Sequence, residues 1–144
     1  MADLRHPRGL LDTSVVIDLE RIDRRDLPVE VAVSAVTMAE LAAGPHATDD
    51  PEERARRQDR LQRAEATFEP LPVDAAVARA YGRVYAAVVS AGRKARGRRA
   101  LDLLIAATAL AAGLPLYTRD PADFADLAGL LEVVEAQGPG DAKG

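Results

Sequence analysis

Apolar runs of strand length alternate with helically spaced segments between residues 9 and 135. Gly9-Leu10-Leu11 is a short apolar run stopped by Asp12. Ser14–Ile22 follows with helical spacing, and Thr13 or Ser14 is placed to cap it, because a hydroxyl can accept an unpaired N–H of the first turn. Val31-Ala32-Val33 predicts a second strand, and Val36–Ala43 a second helix closed by Gly44-Pro45. Pro51–Phe68 is a charged amphipathic helix in which Glu52/Arg56, Glu53/Arg57 and Asp59/Arg63 are i,i+4 pairs in the favourable acid-first order. Glu69–Val73 predicts an edge strand, since Pro70 and Pro72 each remove a ladder donor. Asp74–Ala91 predicts a long helix with Asp74 as its cap. Ala100–Ala112 is too apolar for a surface helix and predicts a buried central one, ended by Gly113. Leu114–Thr118 and Glu132–Val134 complete the set of strands. Strands alternating with helices predict an α/β fold, a mainly parallel sheet with helices on both faces. Such sheets bind ligands beyond the carboxyl ends of their strands, and chemistry is to be sought there.

Length and composition narrow the class. The chain has 144 residues, enough for one domain with a core of its own. We place that domain at residues 9–135, with residues 1–8 and 137–144 as flexible tails. Hydrophobic residues make up 48% and charged residues 29%, the balance of a globular protein rather than a disordered one. Cysteine is absent, which removes disulfides and thiolate metal sites. No apolar run is long enough for a bilayer, and the first residues lack the apolar stretch of a secretory signal, so a cytoplasmic protein is expected.

Four carboxylates stand in apolar company. Asp12 ends the first strand; Glu40 is the sole charge of residues 34–44; Asp102 is the sole charge of residues 100–115; and Asp120 closely follows the Leu116-Tyr117-Thr118 strand. Each has a structural alternative. Asp12 could cap the following helix, Asp102 could complement its own helix dipole, and Asp120 before Pro121 resembles an N-cap. Glu40 is harder to explain this way, because burying a lone carboxylate is costly and no cation lies within a turn of it. Converging acids repel and raise one another's pKa, and they are stable together around a cation. An oxygen-only donor set selects Mg²⁺ or Mn²⁺, whereas zinc is poorly served by a chain whose only imidazoles, His6 and His46, are far apart and expected at the surface. A hard ion held this way polarises a phosphate oxygen and acidifies a bound water.

Leu10-Leu-Asp12-Thr-Ser-Val-Val-Ile-Asp18 and Ser34-Ala-Val-Thr-Met-Ala-Glu40-Leu-Ala-Ala-Gly44 resemble the opening of a PIN domain. Asp102-Leu-Leu-Ile-Ala-Ala-Thr-Ala109 and Leu116-Tyr-Thr118-Arg-Asp120-Pro-Ala-Asp-Phe124 resemble its second half. Within that family the chain is most similar to the single-domain VapC-like toxins of toxin–antitoxin pairs. The resemblance implies a three-layer α/β/α fold and Mg²⁺-dependent endoribonuclease activity. It also implies a cognate VapB-like antitoxin and a homodimer within the complex. The family's acidic set falls on Asp12, Glu40, Asp102 and Asp120, with Asp123 as a second candidate for the fourth acid; Thr118 matches the Ser/Thr of its Ser/Thr-x-Asp step and is expected to bind substrate. On this reading Asp12 and Asp102 are the main direct ligands, while Glu40 and Asp120 complete the set directly or through water.

Four other readings are open. A phosphatase of the Asp-x-Asp type lacks its second acid, since Ser14 stands two residues after Asp12. A receiver-like regulatory module needs a lysine after a late strand, but the only lysines are Lys94 and Lys143. A housekeeping PIN nuclease without an antitoxin, or an inactive PIN interaction domain, shares every motif.

Charge adds one element. The net charge is −4, with aromatics at 3%, so neither a basic surface nor stacking rings make the whole molecule a nucleic-acid binder. The exception is local: Arg93, Lys94, Arg96, Arg98 and Arg99 form a basic loop ending three residues before Asp102. It is either a solvated loop or a guide that brings an RNA backbone to the rim of an acidic site.

Overall fold

Four short strands, Arg8–Leu11 (β1), Glu30–Val33 (β2), Leu116–Thr118 (β3) and Val133–Glu135 (β4), form one parallel sheet in the order β2-β1-β3-β4. The computed structural model describes residues 5–138. Five α-helices connect the strands: Thr13–Ile17 (α1), Ala35–Ala43 (α2), Pro51–Thr67 (α3), Ala75–Ser90 (α4) and Arg98–Ala112 (α5). The expected three-layer α/β/α architecture is present. Its two cores follow from the period-2 alternation of the strands. Leu10, Ala32 and Leu116 point to one face, where α4, α5 and Phe124 cover them. Leu11, Val33 and Tyr117 point to the other, beneath α1 and Ala64 of α3. A one-residue slip of any strand would exchange these faces, so register is tightly specified.

Several boundaries differ from the sequence-based expectation, each for a physical reason. The helix expected over Ser14–Ile22 stops at Ile17, and the chain continues through 3₁₀ turns at Leu19–Arg21 and Arg24–Asp26. Its apolar residues are real core contacts, but Ile22 and Leu27 reach the core from these tighter turns. The edge strand expected at Glu69–Val73 shrinks to a single bridge between Leu71 and Ser34, because its flanking prolines have no N–H to extend the ladder. In α3, Arg57 and Arg63 pair with Glu53 and Asp59 as expected, but Arg56 pairs with Glu53 instead of Glu52. Asp74 caps α4, its carboxylate accepting from the Val77 N–H at 3.0 Å.

The basic run is not all loop. Gly97 takes φ +67°, a conformation that L side chains rarely adopt, and α5 starts directly after it. Arg98 and Arg99 therefore stand in the first turn of a helix rather than in the loop.

The tail expected at residues 1–8 also needs correction. Arg8 belongs to β1, while the His6 and Pro7 carbonyls accept from the N–H groups of Val29 and Glu30 at 2.9 Å each. Residues 1–4 and 139–144 lie outside the described residues. Among the described residues, no helix is long and apolar enough to cross a membrane.

Candidate metal-binding active site

The chain leaves β1 toward β2 on one side and later enters β3 on the other, so the carboxyl ends of β1 and β3 flank the point where strand order reverses. Helical connections diverge there and leave a crevice. Asp12 follows β1, Thr118 ends β3, and Asp120 is two residues beyond it. Glu40 comes from α2 and Asp102 from the second turn of α5.

Asp12 is buried at the crevice floor, 7% exposed. Its side chain caps nothing, which removes the structural alternative for it. Instead Oδ2 accepts from the hydroxyls of Ser14 and Thr118, each at 2.9 Å. Both donors are themselves fixed, since Ser14 Oγ accepts from the Arg119 N–H at 3.2 Å and Thr118 Oγ1 from the Asp120 N–H at 3.0 Å. Burial pushes the Asp12 pKa up, as does the Asp120 charge; the two hydroxyls and the Thr13 N–H hold it down. Thr118 was expected to touch substrate. It is wholly buried and its hydroxyl is engaged on both sides, so its task is to orient Asp12.

Glu40 accepts a 2.5 Å hydrogen bond from Thr13 Oγ1, which lies 2.9 Å from Thr37 Oγ1. The single Thr13 proton is committed to Glu40, so Thr37 donates to Thr13 and a relay Thr37–Thr13–Glu40 results. Asp102 lies outside the first turn of its helix, and α5 has no acid in that turn, so the dipole explanation fails. Burial pushes its carboxyl up to about 6, the charges of Asp12, Glu40 and Asp123 add to this, and Arg99 opposes it. Asp120 is exposed at the rim, and although it begins the 3₁₀ turn Pro121–Leu127 its side chain makes no capping bond. Asp123, exposed on the same turn, acts on Asp102 as Asp120 acts on Asp12.

Four acids from four distant segments thus lie near enough, about the carboxyl ends of β1 and β3, for their charges to act on one another. Among the described residues, no three carboxylate or imidazole groups are gathered closely enough to enclose one ion as they stand. The donor chemistry nevertheless fits a hard divalent cation: oxygen donors only, mutual repulsion, and a carboxyl held near pH 6 by burial and its acidic neighbours. His46 is exposed and His6 bonds Glu132 at 3.1 Å, which leaves both away from the site, as expected.

Of the basic run, Arg93 Nε lies 3.5 Å from Asp126 Oδ2, while Lys94, Arg96 and Arg98 are exposed. Only Arg99 has a charge felt at Asp102. The hydroxyls of Ser14, Thr13 and Thr37 escaped the sequence reading. Only the Asp-Thr-Ser step immediately after β1 hinted at the first two. A separate cleft of about 470 Å³ lies between α1 with its following 3₁₀ turn and α3, lined by Ile17, Leu19, Arg60 and Phe68 among others, and contains none of the four acids.

A parallel sheet with acids at its central strand ends and helices on both faces defines the class. The chain belongs to the PIN domain family, whose model matches residues 9–130. It is 40% identical to Ribonuclease VapC5 of Mycobacterium tuberculosis over 128 residues, covering 87% of this chain and 91% of that one. It is 43% identical to Ribonuclease VapC4 of the same organism over 117 residues, covering 78% and 86%. Among solved structures it is similar to VapBC-5 of M. tuberculosis, a member of the VapBC family of toxin–antitoxin systems. That match has a TM-score of 0.76 at 40% identity, over 90% of this chain and 97% of the other.

Proposed function

We propose that this protein is a divalent-cation-dependent endoribonuclease that acts as the toxin of a toxin–antitoxin pair and is neutralised by a VapB-like antitoxin. The observation that carries the chemistry is Asp12, a buried carboxylate with two hydroxyls on one oxygen, in the crevice with Glu40 and Asp102. The likeness to VapC5, VapC4 and the VapBC-5 complex supports RNA as substrate and an antitoxin as partner. Mg²⁺ or Mn²⁺, when bound, supplies polarisation of a phosphate oxygen and a lowered pKa for water.

The chain's own residues supply the rest. Asp12 and Asp102 would hold the cation, and the Ser14 and Thr118 hydroxyls fix the orientation of Asp12 for it. Glu40, fixed by Thr13, accepts a hydrogen bond from the attacking water and aims its lone pair at phosphorus. Asp120 completes the donor set from the rim. Arg93, Lys94, Arg96 and Arg98 attract the RNA backbone toward an otherwise repulsive acidic mouth, by contacts that position without reading sequence.

Purified protein should cleave RNA with Mg²⁺ or Mn²⁺ and lose that activity in excess EDTA. Asp12→Asn should reduce cleavage by at least about 100-fold with an unchanged circular dichroism spectrum. Full activity in EDTA would overturn the metal-dependent reading.

A further inference from the structure

Asp18 closes α1 and opens the 3₁₀ turn Leu19–Arg21, a position from which an aspartate ordinarily caps the turn that follows. Its carboxylate makes no such bond. Oδ2 instead accepts from Nη1 of Arg119 at 3.0 Å, across 101 residues of sequence. Arg119 directly follows β3, and the alternation of that strand turns it, like Tyr117 two residues earlier, toward the α1 face of the sheet. Its neighbours Thr118 and Asp120 stand at the acidic crevice. The side chain of Arg119 is 20% exposed and that of Asp18 36%, so water screens this pair less than it screens Arg63 and Glu20, which are 57% and 80% exposed.

The pair bears on the site through a short stretch of backbone. The Arg119 N–H donates to Ser14 Oγ at 3.2 Å, and Ser14 Oγ donates in turn to Asp12 Oδ2 at 2.9 Å. One peptide further on, the Asp120 N–H donates to Thr118 Oγ1 at 3.0 Å, and that hydroxyl donates to the same Asp12 oxygen at 2.9 Å. Both hydroxyls on Asp12 therefore depend on the path of the chain from Thr118 to Asp120. Asp18 also lines the cleft between α1 and α3, which contains none of the four acids, so this path is tied down from outside the crevice.

We infer that Asp18 and Arg119 are positioning residues: their ion pair fastens the chain after β3 to the end of α1, and so fixes the two hydroxyls that orient Asp12. The bidentate, permanently charged guanidinium suits a fixed tie better than a flexible ammonium would. Arg119 thus serves the acids through its backbone, while its charge is spent on a carboxylate of the opposite sheet face. The inference rests on the nuclease reading for the reaction it serves, but not for the tie itself.

The test compares Asp18→Asn, Arg119→Gln, Arg119→Lys and the double variant Asp18→Asn with Arg119→Gln, with Glu20→Gln as a control that breaks an exposed pair on the neighbouring turn. Asp18→Asn and Arg119→Gln should each lower kcat for RNA cleavage by about tenfold with KM within about twofold, the scale of removing a group that orients a metal ligand. The double variant should lose no more than either single one, because the two act as a unit. Arg119→Lys should recover part of the loss, and Glu20→Gln should match the parent. Two readouts avoid turnover. Affinity for Mn²⁺ alone, followed by electron paramagnetic resonance, should fall about tenfold in Asp18→Asn. In the metal-free protein, the Arg119 and Asp120 amides of that variant should exchange with solvent about fivefold faster, the scale of one hydrogen bond's net contribution, while those of α4 keep the parent rate. A direct contact of Arg119 with RNA predicts a different result: Arg119→Gln raises KM and flattens the salt dependence while Asp18→Asn keeps the parent kcat. That result would overturn the inference, as would a parent that cleaves RNA beside an Asp18→Asn variant with equal kcat, Mn²⁺ affinity and amide exchange; both leave the nuclease reading standing. A parent that cleaves no RNA, with weaker Mn²⁺ binding and faster exchange in Asp18→Asn, would remove the nuclease reading and uphold the tie.

Discussion

Hydroxyl groups organise this site more than its acids do. Thr13 illustrates the point: its one proton goes to Glu40 and its oxygen accepts from Thr37. Thr13→Val keeps the shape and removes the relay, so cleavage should fall about 10–100-fold, the usual effect of removing a group that orients a ligand, with little change in Tm. Unchanged kcat in that variant would show that Glu40 needs no support. Asp102 governs a pH effect. Its folded carboxyl is held at about 6, above the 3.8 it has when unfolded, so the folded state keeps a proton that the unfolded state has already released. Stability of the metal-free protein should therefore fall as pH rises from about 4 to about 6, and level off above that. Asp102→Asn should make that slope shallower, leaving the part due to the buried Asp12, and raise the metal-free Tm at pH 7 relative to the parent; parallel melting curves across the range would contradict the assignment. The acids were legible in the sequence because a carboxylate in an apolar segment is conspicuous. The part their hydroxyl partners play was not: Thr118 stands out in the sequence as part of its Ser/Thr-x-Asp step, but its bond to Asp12 spans 106 residues and leaves no local pattern.

At the scale of elements, the sheet carries its own constraint at Gly9. A Cβ there would lie 2.5 Å from Cε1 and 2.8 Å from Cδ1 of Tyr117, whose ring crosses Gly9 from the neighbouring strand β3. Tyr117 is 3% exposed, and His6 packs edge-on against it at 6.2 Å, so the ring has little room to withdraw. Gly9→Ala should cost about 1–3 kcal/mol in a urea unfolding experiment, the range for overpacking a filled core, and a variant as stable as the parent would mean the ring moves freely. The long helices were legible because their periodicity extends over many residues, and the strands because each is a short apolar run between polar or turn-forming residues. The shortened α1 was not, since an apolar series feeding a core looks alike whether it is wound as an α-helix or as 3₁₀ turns. Nor was the start of α5, where a glycine at positive φ opens the helix at Arg98, two residues before the apolar run begins.

For the whole molecule, the likeness to VapBC-5 makes neutralisation testable in cells. Expression of the active protein should arrest growth, Asp12→Asn should not, and co-expression with an antitoxin encoded beside it should restore growth. The copurified complex should then contain two copies of this chain by light scattering. Normal growth with a demonstrably active nuclease would favour a housekeeping role instead. The parallel sheet also has an order of construction. β1 is the first of the described strands to be made, but its partner on one side, β3, begins at Leu116, after the five α-helices. A chain still emerging from the ribosome carries Asp12 and Glu40 early, yet has no second wall for the crevice until that central strand is inserted. A reading frame that ends before Leu116 therefore yields a fragment without Asp120 and without the β1–β3 junction. If the proposed function holds, only chains synthesised past β3 can be active.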